Sequence, residues 1–131
     1  MNELKSWDDA MTSCVNMGGT LATVADLTEW DDIKFYLHIG PVNVWIGANK
    51  KMNKITYVWT DDLNQATELN GMWAAGYPKS TAGYDCVFLL SEAFNDPCSN
   101  TYSYLCMEPA VFYSLMMMEC SPNTLHTIPL K

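Results

Sequence analysis

The sequence predicts an α+β fold: two amphipathic helices, then short strands in small, largely antiparallel sheets, with a long loop region and two disulfides. Three observations predict it. Helical apolar spacing is confined to residues 7–37. Beyond it come short runs rich in β-branched and aromatic residues, and an order of helices then strands gives an α+β class. Five cysteines stand in 131 residues, dense for a compartment that keeps thiols reduced.

Ser6 is placed to cap the first helix, and Asp9 three residues on completes a capping box. Trp7, Ala10, Met11, Cys14 and Val15 fall at helical spacing and form one apolar stripe carrying the first cysteine. Gly18-Gly19 ends it. The second helix starts at Asp26 with Glu29 as its box partner, and Trp30, Ile33 and Leu37 line its buried side. His38 sits in its last turn, where a cation suits the helix dipole, and Gly40-Pro41 stops it. Residues 42–46 and 55–59 read as strands. Residues 61–84 have no clear period, and loops this long inside compact domains are usually functional or disordered. Trp73, Tyr77 and Tyr84 argue for order. Residues 86–90 and 102–106 read as closing strands, each with a cysteine. No internal repeat or low-complexity linker is visible.

Length and composition fit one globular domain with a real core. The net charge is −8 and there is no arginine. That speaks against nucleic acid as a partner, because phosphates need a basic patch. It also removes the bidentate fork preferred for clamping carboxylates or phosphates. The acidity suits a soluble extracellular surface, or one that attracts cations, a basic partner or a mineral. No apolar stretch approaches the ~20 residues of a membrane span. The N-terminus reads directly into a helix with no signal peptide, which suggests a mature fragment of an extracellular, secreted protein.

No Cys-x-x-Cys pair occurs and there are two histidines, so zinc is not expected. The cysteines read as two disulfides plus one odd residue, and two bridges from four cysteines allow three connectivities. With no paired Ser/Cys–His motif, nothing supports an enzyme.

Several motifs resemble, in order and in register, those of a C-type lectin-like domain. They are Ser6-Trp7-Asp8-Asp9-Ala10 before Cys14, Gly18-Gly19-Thr20-Leu21-Ala22, Trp45-Ile46-Gly47-Ala48, Trp59-Thr60-Asp61, Phe94-Asn95-Asp96 between Cys86 and Cys98, and Tyr104-Leu105-Cys106. The resemblance covers residues 6–108. It implies bridges Cys14–Cys106 and Cys86–Cys98, with Trp45 and Ile46 in the core, and leaves Cys120 as the odd cysteine. The domain then spans residues 1–108. Its first strand is truncated, which exposes a sheet edge. Residues 109–131 read as an apolar tail, expected to dock on the same or a neighbouring chain or to be partly disordered, with a homodimer through the tail or Cys120 as one arrangement.

In calcium-dependent members of this family one Ca²⁺ holds sugar hydroxyls, inside a cage of about 6–8 oxygen ligands. The resemblance places those ligands in a Pro-containing triplet, at an acidic residue two before the third cysteine, and in an Asn-Asp pair. Here the triplet reads Tyr77-Pro78-Lys79, the acidic position is Tyr84, and only Asn95 and Asp96 match. Lys79 puts a cation where the metal would sit. No cofactor, and no calcium at the usual sugar position, is expected. Asp61, Asp62 and Asp85 read as scattered surface carboxylates more than as an auxiliary calcium site. Trp73, Tyr77, Lys79, Tyr84, Asn95 and Asp96 are the candidate ligand-binding residues, with Tyr77 and Tyr84 the better exposed. The expected function is calcium-independent recognition of a protein or glycan through the long-loop face. The alternatives are a carbohydrate-binding lectin with a non-standard or metal-assisted site, and an acidic structural or matrix protein.

Overall fold

The structure is a computed structural model and describes residues 3–108, 114–118 and 125–129. Ser6 accepts the Asp9 amide proton at 3.2 Å and starts helix α1, Trp7–Asn16, whose buried side carries Trp7, Ala10 and Cys14. Strand β1, Thr20–Leu21, follows. Asp26 accepts from the Glu29 amide at 2.7 Å and opens α2, Leu27–Leu37, while the Glu29 carboxylate reaches back to the Ala25 amide. This helix ends before Gly40-Pro41. His38 itself takes the left-handed conformation at the C-cap, with φ 55°.

The strands form two four-stranded sheets. One is ordered β4 (Ala93–Asp96), β3 (Cys86–Leu89), β2 (Val44–Asn49), β5 (Ser103–Tyr104). Within it β2 pairs antiparallel with β3 and parallel with β5. The other is ordered β1, β6 (Cys106–Met107), β7 (Ser114–Met118), β8 (Leu125–Pro129). Met118 pairs with Cys106 and Met117 with Met107, so the chain beyond residue 108 returns to the sheet through β7. Cys120 lies outside the described residues. The short N-terminal segment exchanges both backbone hydrogen bonds between Lys5 and Tyr102, at 2.9 and 3.0 Å.

Two sequence expectations need correction. Residues 55–59 do not form a strand: only Val58 bridges, to Asn49 and Gln65, because Asn53 Oδ1 accepts the Ile55 and Thr56 amides and holds the start of the run in a turn, with Ile55 84% exposed. Residues 102–106 are not one strand either. They divide between β5 and β6, which belong to different sheets.

The bridges are Cys14–Cys106 and Cys86–Cys98. Trp30, Ile33, Ile46, Leu89 and Leu105 belong to one buried cluster. Trp7, Cys14, Trp45 and Tyr104 belong to a second beside it. Each buried indole N–H finds an acceptor, as buried polar groups must: Trp7 to Ile46 O, Trp30 to Leu90 O, Trp45 to Lys5 O and Trp59 to Glu68. At Gly47 the strand passes so near β1 that a Cβ would meet Thr60 Oγ1 at 2.6 Å and the Leu21 carbonyl at 2.8 Å. Glycine is therefore required there by close approach.

Candidate functional site

The candidate site is built on β4 and on the loop that runs beside it. Side chains alternate along a strand, and β4 follows that rule: Ala93 and Asn95 are buried, Phe94 and Asp96 half-buried. Asn95 and Asp96 thus leave the strand on opposite faces and serve different neighbours.

Asn95 is 1% exposed and points into the loop. Its Oδ1 accepts the Lys79 amide proton at 2.8 Å. Its Nδ2 lies 2.8 Å from Lys79 O, 3.0 Å from Tyr84 O and 3.0 Å from the Tyr57 hydroxyl. The Tyr57 hydroxyl in turn donates to Tyr84 O at 3.1 Å. Burial pushes the Tyr57 phenol up, the Asn95 hydrogen bond opposes this, and the Asp85 charge adds to it. One side chain thereby ties two places in the loop to the sheet.

Asp96 faces the other way. Its Oδ2 accepts from the Tyr102 hydroxyl at 2.5 Å and from Asn100 at 2.7 Å. Burial first, and then the Asp96 carboxylate, push the Tyr102 phenol up to about 12.

The loop between these anchors is ordered by backbone bonds and ring packing. A 3₁₀ turn at Thr67–Gly71 leads into Trp73, which bridges Ala93 in parallel, and the Ala74 amide donates to Ala93 O at 3.0 Å. Trp73 is half-buried with its ring edge-on to Tyr57, centroids 5.4 Å apart. Tyr77 precedes a cis peptide to Pro78 and packs edge-on to Phe94 at 4.8 Å. The Lys79 ammonium lies 5.0 Å from the Tyr77 ring centre. Lys79 is exposed, as are Pro78 and residues 80–83.

Five of the six sequence-predicted residues, Trp73, Tyr77, Lys79, Tyr84 and Asn95, come together around this clamp. Asp96 does not join them. Trp73, Tyr77 and Tyr84 are all half-buried; Tyr77 packs on Phe94, and the Tyr84 backbone carbonyl accepts from the Tyr57 hydroxyl. Tyr57, the ring on which Trp73 leans, was missed because it stood inside a run read as a strand.

A calcium ion at the sugar position does not fit these residues. Tyr77, Lys79 and Tyr84 offer no carboxylate or carboxamide, the Asn95 oxygen already accepts the Lys79 amide, and Asp96 turns its Oδ2 to Tyr102 and Asn100. Elsewhere, Asp61 is pushed up by partial burial of its carboxyl and then by the neighbouring Asp62. Among the described residues no three His, Cys, Asp or Glu side chains converge on a metal position.

The fold and the disulfide-braced loop define a lectin-type recognition domain. The family model for the C-type lectin domain matches residues 3–108, and the chain belongs to that family. It is 34% identical to Collectin-10 of Xenopus tropicalis over 110 residues, covering 81% of this chain and 39% of that protein. It is 29% identical to the secretory phospholipase A2 receptor of Homo sapiens over 106 residues, covering 77% of this chain and 7% of the receptor. The chain therefore spans less than half the length of these relatives. Among solved structures it is similar to a calcium-independent type II antifreeze protein, with a TM-score of 0.64 and 26% identity, covering 77% of this chain and 76% of that one. Disulfide-bonded domains of this kind are typical of extracellular proteins, and among the described residues no helix is long and apolar enough to cross a membrane.

Proposed function

We propose that this chain is an extracellular recognition domain that binds a protein or glycan ligand through its long-loop face, without calcium at the usual sugar position and without turning the ligand over. The observation that carries this reading is Asn95. Its carboxamide, a metal-ligand position by family resemblance, is turned to the loop: the oxygen accepts the Lys79 amide and the NH₂ faces Lys79 O, Tyr84 O and the Tyr57 hydroxyl. A ligand arriving at this face meets a surface already held in shape, and preorganisation of that kind lowers the ordering cost of binding. Similarity to a calcium-independent antifreeze protein supports a member of the family working without the ion.

The test is to probe immobilised glycans and candidate proteins with the domain in CaCl₂ and again in EDTA. The same ligands should be retained in both buffers and lost in Tyr77→Ala and Lys79→Gln. Binding that appears only with calcium, or that ignores both substitutions, overturns the reading.

A further inference from the structure

Helix α2 buries Trp30, Ile33 and Leu37 on its inner side. Its outer side departs from the charged or polar character that such a face normally has. Phe35 is 79% and Tyr36 56% exposed, and these are the two aromatic rings left in water among the described residues. They meet edge-on, with centroids 6.2 Å apart. Val42, just beyond the helix, is 40% exposed. Single apolar side chains on a surface are ordinary, whereas an apolar patch marks a contact site.

Beside Phe35 the surface opens into a groove of about 600 Å³, lined by Lys34, Phe35, Ile39, Pro41, Leu90 and Ser91. Its walls are fixed by hydrogen bonds. The Ile39 amide donates to Lys34 O at 3.0 Å, and His38 in the left-handed conformation turns the chain out of the helix. The Trp30 indole donates to Leu90 O at 2.7 Å and holds the turn between β3 and β4 against α2. The groove lacks the convergent polar groups of a small-molecule site. Lys34, its one charged lining residue, already faces Asp31 at 3.2 Å and the Trp30 ring at 5.5 Å.

A protruding ring next to a groove roomy enough for one is self-complementary. A two-fold axis between two copies seats each Phe35 in the other copy's groove, the reciprocal contact of an isologous interface. Charge points the same way. Asp31 and Asp32 precede Phe35 and His38 follows it. Antiparallel α2 helices therefore set the carboxylates of one copy against the histidine of the other, and complementary charge of this kind fixes orientation. We infer that the outer face of α2 and the groove beside it form a homodimer interface with Phe35 at its centre. At about 150–250 Å² per aromatic side chain, the exposed parts of Phe35 and Tyr36 offer on the order of 300 Å². A stable complex buries roughly 800 Å² per partner, so this dimer is weak and depends on concentration. The turn at Leu90 and Ser91 lies at the opposite end of the β3–β4 pair from Cys86 and Asp96. The dimer thus leaves both loop faces open and, if those faces bind as read above, engages a multivalent ligand with two sites.

The experiment is sedimentation velocity of the whole chain from micromolar to millimolar concentration, with hydrogen exchange recorded at both ends of the range. A reversible monomer–dimer equilibrium is expected, with exchange slowing in residues 34–42 and 90–91 as the dimer fills. Phe35→Ser should raise the dissociation constant about thirtyfold, as loss of a central interface aromatic does. Ile55→Ser should leave it unchanged: Ile55 is more exposed than Phe35, but it lies beyond the far end of β2 from Val42. Cys120→Ser should dimerise as the wild type does, because the interface needs no interchain disulfide. Near-UV circular dichroism checks that each variant is folded. A monomer at every concentration, a dimer undiminished by Phe35→Ser, equal weakening by Ile55→Ser, or loss of the dimer in Cys120→Ser overturns the inference. So does a fall in the melting temperature of Phe35→Ser with no change in association, which would place the ring under the chain's own residues. None of these outcomes touches the loop-face reading, whose test is ligand retention.

Discussion

The sheet around Trp45-Ile46-Gly47 and the loop lying beside β4 are held together by different physics. In the sheet, β2 is buried along all six residues, and Trp45, Ile46 and Ala48 are fully enclosed. Dispersion and burial fix it from every side, and a disulfide ties α1 to β6 across 92 positions. The loop enters the core only through Ala66, Leu69 and Met72, with Trp73 packed against it. Its tip is exposed, and its shape rests on one buried carboxamide, two ring pairs and the Cys86–Cys98 bridge at its base. The scaffold is thus overdetermined, whereas the loop tip leans on a few polar and ring contacts, with the Asn95 carboxamide at their centre.

If so, the largest losses should come from the scaffold. Replacing both Cys14 and Cys106 by Ala should cost about 4.5 kcal/mol by chain entropy, against about 3 for Cys86 with Cys98, whose separation is 12. Denaturant unfolding of the two double variants reads the difference. Gly47→Ala should cost about 1–3 kcal/mol from overpacking against Thr60 and the Leu21 carbonyl, seen as a lower denaturation midpoint with unchanged slope. Equal stability of wild type and Gly47→Ala would mean the close approach is slack.

Asn95→Ala tests the other side of the contrast. It strands the Lys79 amide and removes the donor to two carbonyls, a loss of about 1–3 kcal/mol. We expect the loss to be local: hydrogen exchange should speed up in residues 77–85 while β2 and β3 keep their protection. Uniform loss of protection would make Asn95 part of the core and erase the distinction. The smallest effect concerns pH. The Tyr102 phenol is raised from 10.0 to about 12. A group whose folded pKa is raised contributes stability that is present below its unfolded pKa and lost as pH rises through the folded one. Stability should therefore decline between pH 10 and 12, and Tyr102→Phe should flatten that decline in thermal scans.

Much of this was legible in the sequence, for reasons that differ by element. The two helix starts were readable because Ser6 and Asp26 act within three residues of themselves, on the amides of Asp9 and Glu29. The disulfide pairing came from family resemblance, since spacing alone left three connectivities. Residues 55–59 carried a β-prone composition, but composition does not report that Ile55 would face solvent. Strand β4 was read only as a motif, because a four-residue strand with two polar members gives almost no periodic signal. The clamp could not be read at all: Asn95 reaches partners 11, 16 and 38 positions away, and nothing local distinguishes a carboxamide that binds a metal from one that binds backbone. What the sequence did show is that Lys79 and Tyr84 stand where the family resemblance expects metal ligands.

Whether the loop keeps its shape without a metal is the point on which the rest depends. Hydrogen exchange of residues 73–85 should be followed in EDTA and in CaCl₂ at millimolar concentration, with thermal unfolding recorded alongside. Identical protection and identical melting temperature in the two buffers are expected. Saturable slowing of exchange at Lys79 and Tyr84 on adding calcium, with a rise in melting temperature, would contradict a loop held in shape without a metal.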